Sequence, residues 1–92
     1  MKKYEVIFYE SALEDIAKHR KSGQKTLLKK IDDLITELED HPSTGTGKPE
    51  LLKGRNMEMS RRINNQHRLT YFIDEENKIV EVLSAYGHYD DK

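Results

Sequence analysis

The chain of 92 residues contains no cysteine and no tryptophan, and it has only two prolines. Without cysteine it can hold neither a disulfide nor a thiolate-bound metal, so the fold must depend on one hydrophobic core. No apolar run approaches the roughly 18 residues of a membrane helix, and the opening MKKYEVIFYE lacks the apolar stretch of a signal peptide. We therefore expect a cytoplasmic protein that is neither exported nor inserted in a membrane.

A strong surplus of charge is also lacking, because the net charge is −1. That total argues against general affinity for nucleic acid, but the distribution is uneven. Residues 48–68 contain six basic and two acidic side chains, whereas residues 74–92 contain six acidic and two basic ones. A local basic stretch can bind phosphates whatever the total charge. An ordinary solvated sheet face would show the same pattern, so charge alone leaves both interpretations open.

Apolar spacing predicts two helices in the first half of the chain. Ser11 and Glu14 have the spacing of a capping box at the start of the first helix, and Gly23 offers its end. A second apolar stripe spans about residues 24 to 40 and stops before Pro42. The segment HPSTGTGKPE that follows has the composition of a loop and lacks the lysine-serine pair of a nucleotide-binding loop.

Strand-like runs occupy the remaining sequence. Residues 3–8 predict one strand, and the runs 57–63, 67–74 and 78–86 predict an antiparallel meander, because their separators are short enough for hairpins. The length fits a single domain, residues 1–92. The predicted fold class is therefore α+β, with both helices packed on one face of a single sheet.

Chemically capable side chains are expected on the other face of that sheet. Alternation along the strand 67–74 directs Leu69 toward the helices and Arg68 away from them. Glu50 enters the sheet after the turn at Pro49, through the short strand-like run LLK, and His88 follows the run 78–86, so both could converge on Arg68. The other side chains predicted on this uncovered face are Glu58, Ser60, Arg62, Thr70 and Phe72.

A glutamate, an arginine and a histidine would suffice to cleave RNA without a metal. A base must remove the ribose 2′-hydroxyl proton, a cation must stabilise the charge on the phosphoryl oxygens, and an acid must protonate the leaving oxygen. The same residues could instead form a surface ion pair beside a solvated terminal histidine. The residues alone thus leave two hypotheses, a nuclease or a module that binds RNA or an acidic protein without cutting.

Four motifs resemble the RelE/YoeB-type toxins of bacterial type II toxin–antitoxin modules, specifically the YoeB/Txe branch. They are GKPELLK at 47–53, SRRI at 60–63, HRLTY at 67–71 and the closing HY at 88–89. The resemblance covers nearly the whole chain and implies a RelE-like fold. It implies a ribosome-dependent, metal-independent mRNA endoribonuclease without a cofactor, which inhibits translation. It also implies a cognate antitoxin, the ribosome and mRNA as partners, and leaves a homodimer open.

The same resemblance implies roles for individual residues. Glu50 matches the family's general base, Arg68 its transition-state arginine and His88 its general acid. Tyr89 matches the terminal tyrosine, which helps to orient the substrate and supports the histidine. The positions that match or extend the phosphate-contacting cations are Lys48, Lys53, Arg61 and Arg62.

The chain also departs from the family pattern. Met59 stands where close relatives carry an aromatic residue, and the tail DDK adds negative charge beside the presumed acid. We expect these departures to affect rate and site preference more than the class of activity, although a catalytically inactive RelE-like module would also be compatible with them. His67 is expected to be structural, and His19 and His41 lack the spacing of metal ligands.

Overall fold

The computed structural model describes residues 3–45, 47, 49–51 and 58–87, and the structural statements below concern those residues. They form two helices and five strands: β1 (Glu5–Phe8), α1 (Glu10–Lys21), α2 (Lys25–Leu38), β2 (Glu50–Leu51), β3 (Met59–Arg62), β4 (Arg68–Asp74) and β5 (Ile79–Ser84). The order across the sheet is β1-β5-β4-β3-β2. β1 runs parallel to β5, and the other neighbours are antiparallel. The predicted α+β class and the antiparallel meander are confirmed.

The core lies between α2 and the inner face of the sheet. The apolar stripe of α2 recurs every three or four residues, so it forms one continuous face of the helix. That face packs on inward-facing side chains of β4 and β5, where Leu69 and Tyr71 are fully buried. The other principal core residues are Ala12, Leu27, Ile31, Leu34, Leu38, Ile63, Val80, Val82 and Ala85.

The start of α1 differs from the prediction. The helix begins at Glu10, with Tyr9 as an N-cap whose side chain makes no capping hydrogen bond. Ser11 therefore lies inside the first turn, and its hydroxyl donates to the carbonyl of Leu83 at 2.6 Å. The predicted capping box is wrong, because a tertiary contact takes the hydroxyl. Gly23, with a φ of 70°, follows the end of α1 as predicted.

β5 ends earlier than the predicted run 78–86. Thr70 pairs with Ser84 while the next residue, Tyr71, pairs with Val82, so Leu83 is an extra residue in β5. Such a bulge bends its strand and changes the faces of the residues that follow. Beyond Ser84 the chain remains beside the beginning of β4, where the carbonyl of Gly87 accepts the backbone N–H of Arg68.

Candidate active site

Strand pairing brings Glu50 and Arg68 together from positions 18 residues apart. Glu50 pairs with Ser60 across β2 and β3, and Arg68 pairs with Arg62 across β3 and β4. An Nη1 atom of Arg68 lies 3.4 Å from Oε1 of Glu50 and 3.4 Å from Oγ of Ser60. The expected convergence of a carboxylate and a guanidinium on this face is therefore present in the structure.

The two partners differ in exposure. The Arg68 side chain is 14% exposed and the Glu50 side chain is 51% exposed. Leu69, the next residue of β4, is fully buried in the core, so alternation places Arg68 on the face away from the helices. An ion pair this open contributes only about 0–1 kcal/mol to folding. The carboxylate remains accessible, and the guanidinium is fixed at the surface of the sheet.

Three residues with hydroxyl side chains, on β3, β4 and β5, lie opposite one another next to the Glu50–Arg68 pair. Ser60 pairs with Thr70, and Thr70 pairs with Ser84. Ser60 and Thr70 are buried, and the hydroxyls of Thr70 and Ser84 are hydrogen-bonded to each other. Alternation along the sequence predicts the faces of Ser60 and Thr70. It does not predict that of Ser84, because the bulge at Leu83 changes the register.

The last described residue, Gly87, is bound to the beginning of β4. The backbone N–H of Arg68 donates to the carbonyl of Gly87 at 3.0 Å. The backbone N–H of Gly87 donates to Nδ1 of His67 at 2.7 Å. The residue to which His88 is covalently joined is thus held next to Arg68. His88 and Tyr89 themselves, like Lys48 and Lys53, lie outside the described residues.

The two arginines of the SRRI motif have opposite environments. Arg62 is exposed at the end of β3 and pairs with Arg68, so the two side chains start as cross-strand neighbours on the face away from the helices. Arg61 is fully buried. Its guanidinium donates to Oη of Tyr71 at 3.1 Å, to Oε1 of Glu37 at 2.7 Å and to the backbone carbonyls of His41 and Thr44.

This placement corrects the expectation that Arg61 contacts phosphate. Residues 60 and 62 face outward, so residue 61 must face the helices. A motif match carries no information about which face a side chain occupies, whereas the alternation along β3 does. The role of Arg61 is to fix the segment 41–45, which leads toward Glu50, against α2 and β4.

Sequence reasoning missed a second group of contacts, on α1. Ser11, Asp15 and His19 are spaced by four residues and therefore lie on one face of the helix. Asp15 accepts the backbone N–H of Ala85 at 2.9 Å, and Nε2 of His19 lies 2.8 Å from the Ala85 carbonyl. The spacing was visible in the sequence. What it could not reveal was the backbone opposite, which α1 meets only in the folded chain.

The described ranges contain neither a cluster of metal ligands nor a membrane-spanning helix. No group of three or more histidine, aspartate or glutamate side chains there could hold a metal ion. Neither α1 nor α2 is long and apolar enough to cross a membrane.

Comparison with known proteins identifies the family. The family model described as the YoeB-like toxin of bacterial type II toxin–antitoxin systems matches residues 8–89. The chain belongs to this toxin family. Among YoeB relatives, a Toxin YoeB from Mycobacterium bovis is 38% identical over 85 residues, which are 91% of this chain and 96% of the relative. The resemblance of the four sequence motifs to RelE/YoeB-type toxins is confirmed.

Solved structures of YoeB toxins share the fold. A YoeB/ParE toxin from Agrobacterium tumefaciens superposes with a TM-score of 0.83 at 32% identity, covering 92% of this chain and 99% of that one. A YoeB dimer from Staphylococcus aureus gives a TM-score of 0.81 at 32% identity, covering 95% and 99%. A YoeB–YefM complex from the same organism gives 0.78 at 33% identity, covering 94% and 98%.

Proposed function

We propose that this YoeB-family toxin is a ribosome-dependent, metal-independent endoribonuclease that cuts mRNA and thereby inhibits translation. The observation that carries the proposal is the Glu50–Arg68 pair on the helix-free face, adjoining the backbone that leads to His88. A carboxylate, a guanidinium and an imidazole supply the base, the cation and the acid that RNA cleavage requires.

The proposed reaction uses each of these groups once. Glu50 takes the proton of the ribose 2′-hydroxyl, and the 2′-oxygen attacks the adjacent phosphorus. Arg68 stabilises the negative charge that grows on the non-bridging oxygens. The bond from phosphorus to the 5′-oxygen breaks, and His88 in its protonated form gives that oxygen a proton. The products are a 2′,3′-cyclic phosphate and a 5′-hydroxyl end.

The looseness of the ion pair supports a role in binding substrate. The 3.4 Å separation of Arg68 and Glu50 exceeds the roughly 2.7–2.9 Å of a strong charge-assisted hydrogen bond. This contact is therefore weak enough for a phosphate to compete with the carboxylate for the guanidinium. Arg62, exposed beside Arg68, adds a second cation on the same face. We include Lys48, Lys53 and Tyr89 in the RNA-binding set and leave out Arg61.

The partners follow from the same surface and from the relatives. The S. aureus relative forms a complex with YefM. We propose that this chain, too, is inhibited by an antitoxin, one with an acidic segment that covers the face formed by Arg62 and Arg68. A homodimer is proposed from the S. aureus dimer, and a cytoplasmic location from the need to reach translating ribosomes.

The test is primer extension on a defined mRNA during cell-free translation. The wild type should produce new 5′ ends within translated codons, and blocking initiation should abolish them. Arg68→Ala should lower the cleavage rate by about 10²–10³-fold, and His88→Gln by about 10²–10⁴-fold. Arg20→Ala, which removes an exposed arginine of α1, is the matched control and should cut at the wild-type rate.

Two contrary results would have different meanings. A folded Arg68→Ala variant that cuts like the wild type would refute the assigned role of the guanidinium. A folded wild type that associates with ribosomes or RNA without cutting would select the binding module, in which the Glu50–Arg68 pair is an ordinary surface contact. Circular dichroism of every variant shows whether a lost activity reflects a lost fold.

A further inference from the structure

The end of β5 is held by side chains after its neighbouring strand stops. β1 pairs with β5 as far as Val82, whose carbonyl accepts the N–H of Tyr9 at 2.9 Å. Beyond that point the edge of β5 would present unpaired backbone groups. The polar face of α1 binds them instead: Ser11 donates to the Leu83 carbonyl, and Asp15 accepts the N–H of Ala85.

His19, one turn further along α1 than Asp15, adds a third hydrogen bond to the end of β5. Because the Ala85 carbonyl can only accept, the Nε2 atom of His19, 2.8 Å away, must carry a proton and donate it. His19 is only 2% exposed. Both backbone polar groups of Ala85 are therefore bound by α1, the N–H by Asp15 and the carbonyl by His19.

The opposite side of the same segment is bound by the start of β4. The Gly87 N–H donates to Nδ1 of His67, which must therefore be without a proton at that nitrogen. The Gly87 carbonyl accepts from the backbone of Arg68. Residues 85–87 are thus held by hydrogen bonds from α1 on one side and from the start of β4 on the other. The first requires a proton on Nε2 of His19, and the second requires that Nδ1 of His67 carry none.

The aromatic rings pack these contacts together. The rings of His19 and His67 meet edge to face with centroids 4.6 Å apart, and Tyr86 contacts them at 5.0 and 4.7 Å. Nζ of Lys18 lies 4.6 Å from the centre of the Tyr86 ring on the surface. Tyr86 therefore links the two histidines that bind the residues on either side of it.

We propose that Asp15, His19 and His67 are positioning residues that fix residues 85–87 so that His88 can reach the phosphate bound by Arg68. The inference rests on the proposed function, because the anchor that Asp15, His19 and His67 form has a catalytic purpose only if His88 acts as the acid. Misplacing a reacting group by about 1 Å can cost on the order of 100-fold in rate. His88 is joined directly to Gly87, so the anchor is one peptide bond from the proposed acid.

Amide replacements can separate a specific hydrogen bond from general packing. The side-chain oxygen of asparagine can occupy the place of Nδ1, whereas the side-chain nitrogen of glutamine can occupy that of Nε2. His67→Asn should therefore keep an acceptor for Gly87, and His67→Gln should lose it. For His19 the order reverses, since His19→Gln keeps the donor for Ala85 and His19→Asn loses it.

The experiment measures single-turnover cleavage of mRNA on programmed ribosomes, together with amide hydrogen exchange at Ala85 and Gly87. His67→Gln and His19→Asn should slow cleavage at saturating toxin by about 10–100-fold without changing the half-saturating concentration. His67→Asn and His19→Gln should recover most of the rate. Exchange at Gly87 should accelerate in His67→Gln and remain slow in His67→Asn.

Each remaining outcome counts against the proposal in a distinguishable way. If His67→Gln releases the Gly87 amide but cuts at the wild-type rate, the anchor does not position the acid. If both replacements of a histidine lose the same activity, the residue acts through its bulk and not through the hydrogen bond. If the wild type does not cut, the proposed function itself fails, and with it the catalytic purpose of the anchor.

Discussion

Replacing Arg61 by methionine should severely destabilise the protein. Methionine keeps an apolar chain about as long as the aliphatic part of arginine but none of its five N–H donors. The buried guanidinium binds Tyr71, Glu37 and the carbonyls of His41 and Thr44. Its removal leaves a carboxylate and two backbone acceptors without their cation.

The magnitude follows from the exposure of these partners. Removing one member of a fully buried ion pair costs about 3–5 kcal/mol. Here Glu37 is 29% exposed and can turn partly to water, and Tyr71 still donates to the Pro42 carbonyl at 2.7 Å. We therefore expect Arg61→Met to lower the free energy of unfolding by about 3 kcal/mol, from a total of roughly 5–15 kcal/mol. The melting temperature should fall by roughly 10–25 °C.

Urea unfolding followed by circular dichroism is the assay, with Arg62→Met as the matched control. Arg62 is the exposed neighbour on the same strand, so its replacement should change the free energy of unfolding by less than about 0.5 kcal/mol. In the Arg61→Met background, Glu37→Gln should cost less than in the wild type, because the contact between this carboxylate and Arg61 is already absent. An Arg61→Met variant as stable as Arg62→Met would show that the buried guanidinium contributes no more to stability than an exposed one.

Two further predictions concern the loop before Glu50 and a surface carboxylate. Gly47→Ala should destabilise the fold by about 2–4 kcal/mol, because φ is 87° there and an added Cβ would lie 2.8 Å from the Arg62 carbonyl oxygen. The control is Gly23→Ala, where φ is 70° but the space around the added Cβ is open, and it should cost only about 1 kcal/mol in the same urea assay. Equal losses of stability in the two variants would contradict the clash at Gly47. Hydrogen bonds from the side chain and, next in size, from the backbone N–H of Asn77 hold the pKa of Asp74 below its usual value. The ionised Asp74 carboxylate therefore stabilises the folded state at pH values above its pKa in the unfolded chain. That stabilisation is lost as the pH falls through the pKa of Asp74 in the folded protein. Asn77→Ala should raise the Asp74 pKa toward 3.8 in a carboxyl NMR titration, and an unchanged pKa would count against the contact.

The sequence predicts the architecture well where periodicity decides it. The stripe of α2 specifies a buried helix face, and the alternation around Leu69 specifies the face that carries Arg68. These patterns are local, and burial of apolar surface makes them unambiguous. The convergence of Glu50 with Arg68 also follows, once the meander is recognised and β2 is added to its edge.

Features that depend on distant contacts were not predictable in this way. Ser11 has the spacing of a cap, yet its hydroxyl binds Leu83, 72 residues away. The bulge at Leu83 leaves no mark in the apolar pattern, although it redirects the chain that leads to His88. Arg61 matched a cationic motif but is buried, because a charged side chain can be buried when the fold supplies its partners.

The central claim is that Glu50, Arg68 and His88 act on the ribose hydroxyl and phosphate of one nucleotide. Its most direct test uses a programmed ribosome whose mRNA carries a single 2′-deoxyribose immediately before the scissile phosphate. Wild-type toxin should leave this bond intact while it cuts the matched all-ribose mRNA to a 2′,3′-cyclic phosphate, because the deoxy-substituted nucleotide has no 2′-hydroxyl to attack the phosphorus. Cleavage of the deoxy-substituted bond at the rate of the unmodified mRNA would show that the 2′-hydroxyl is not the nucleophile and that Glu50 does not act as its base.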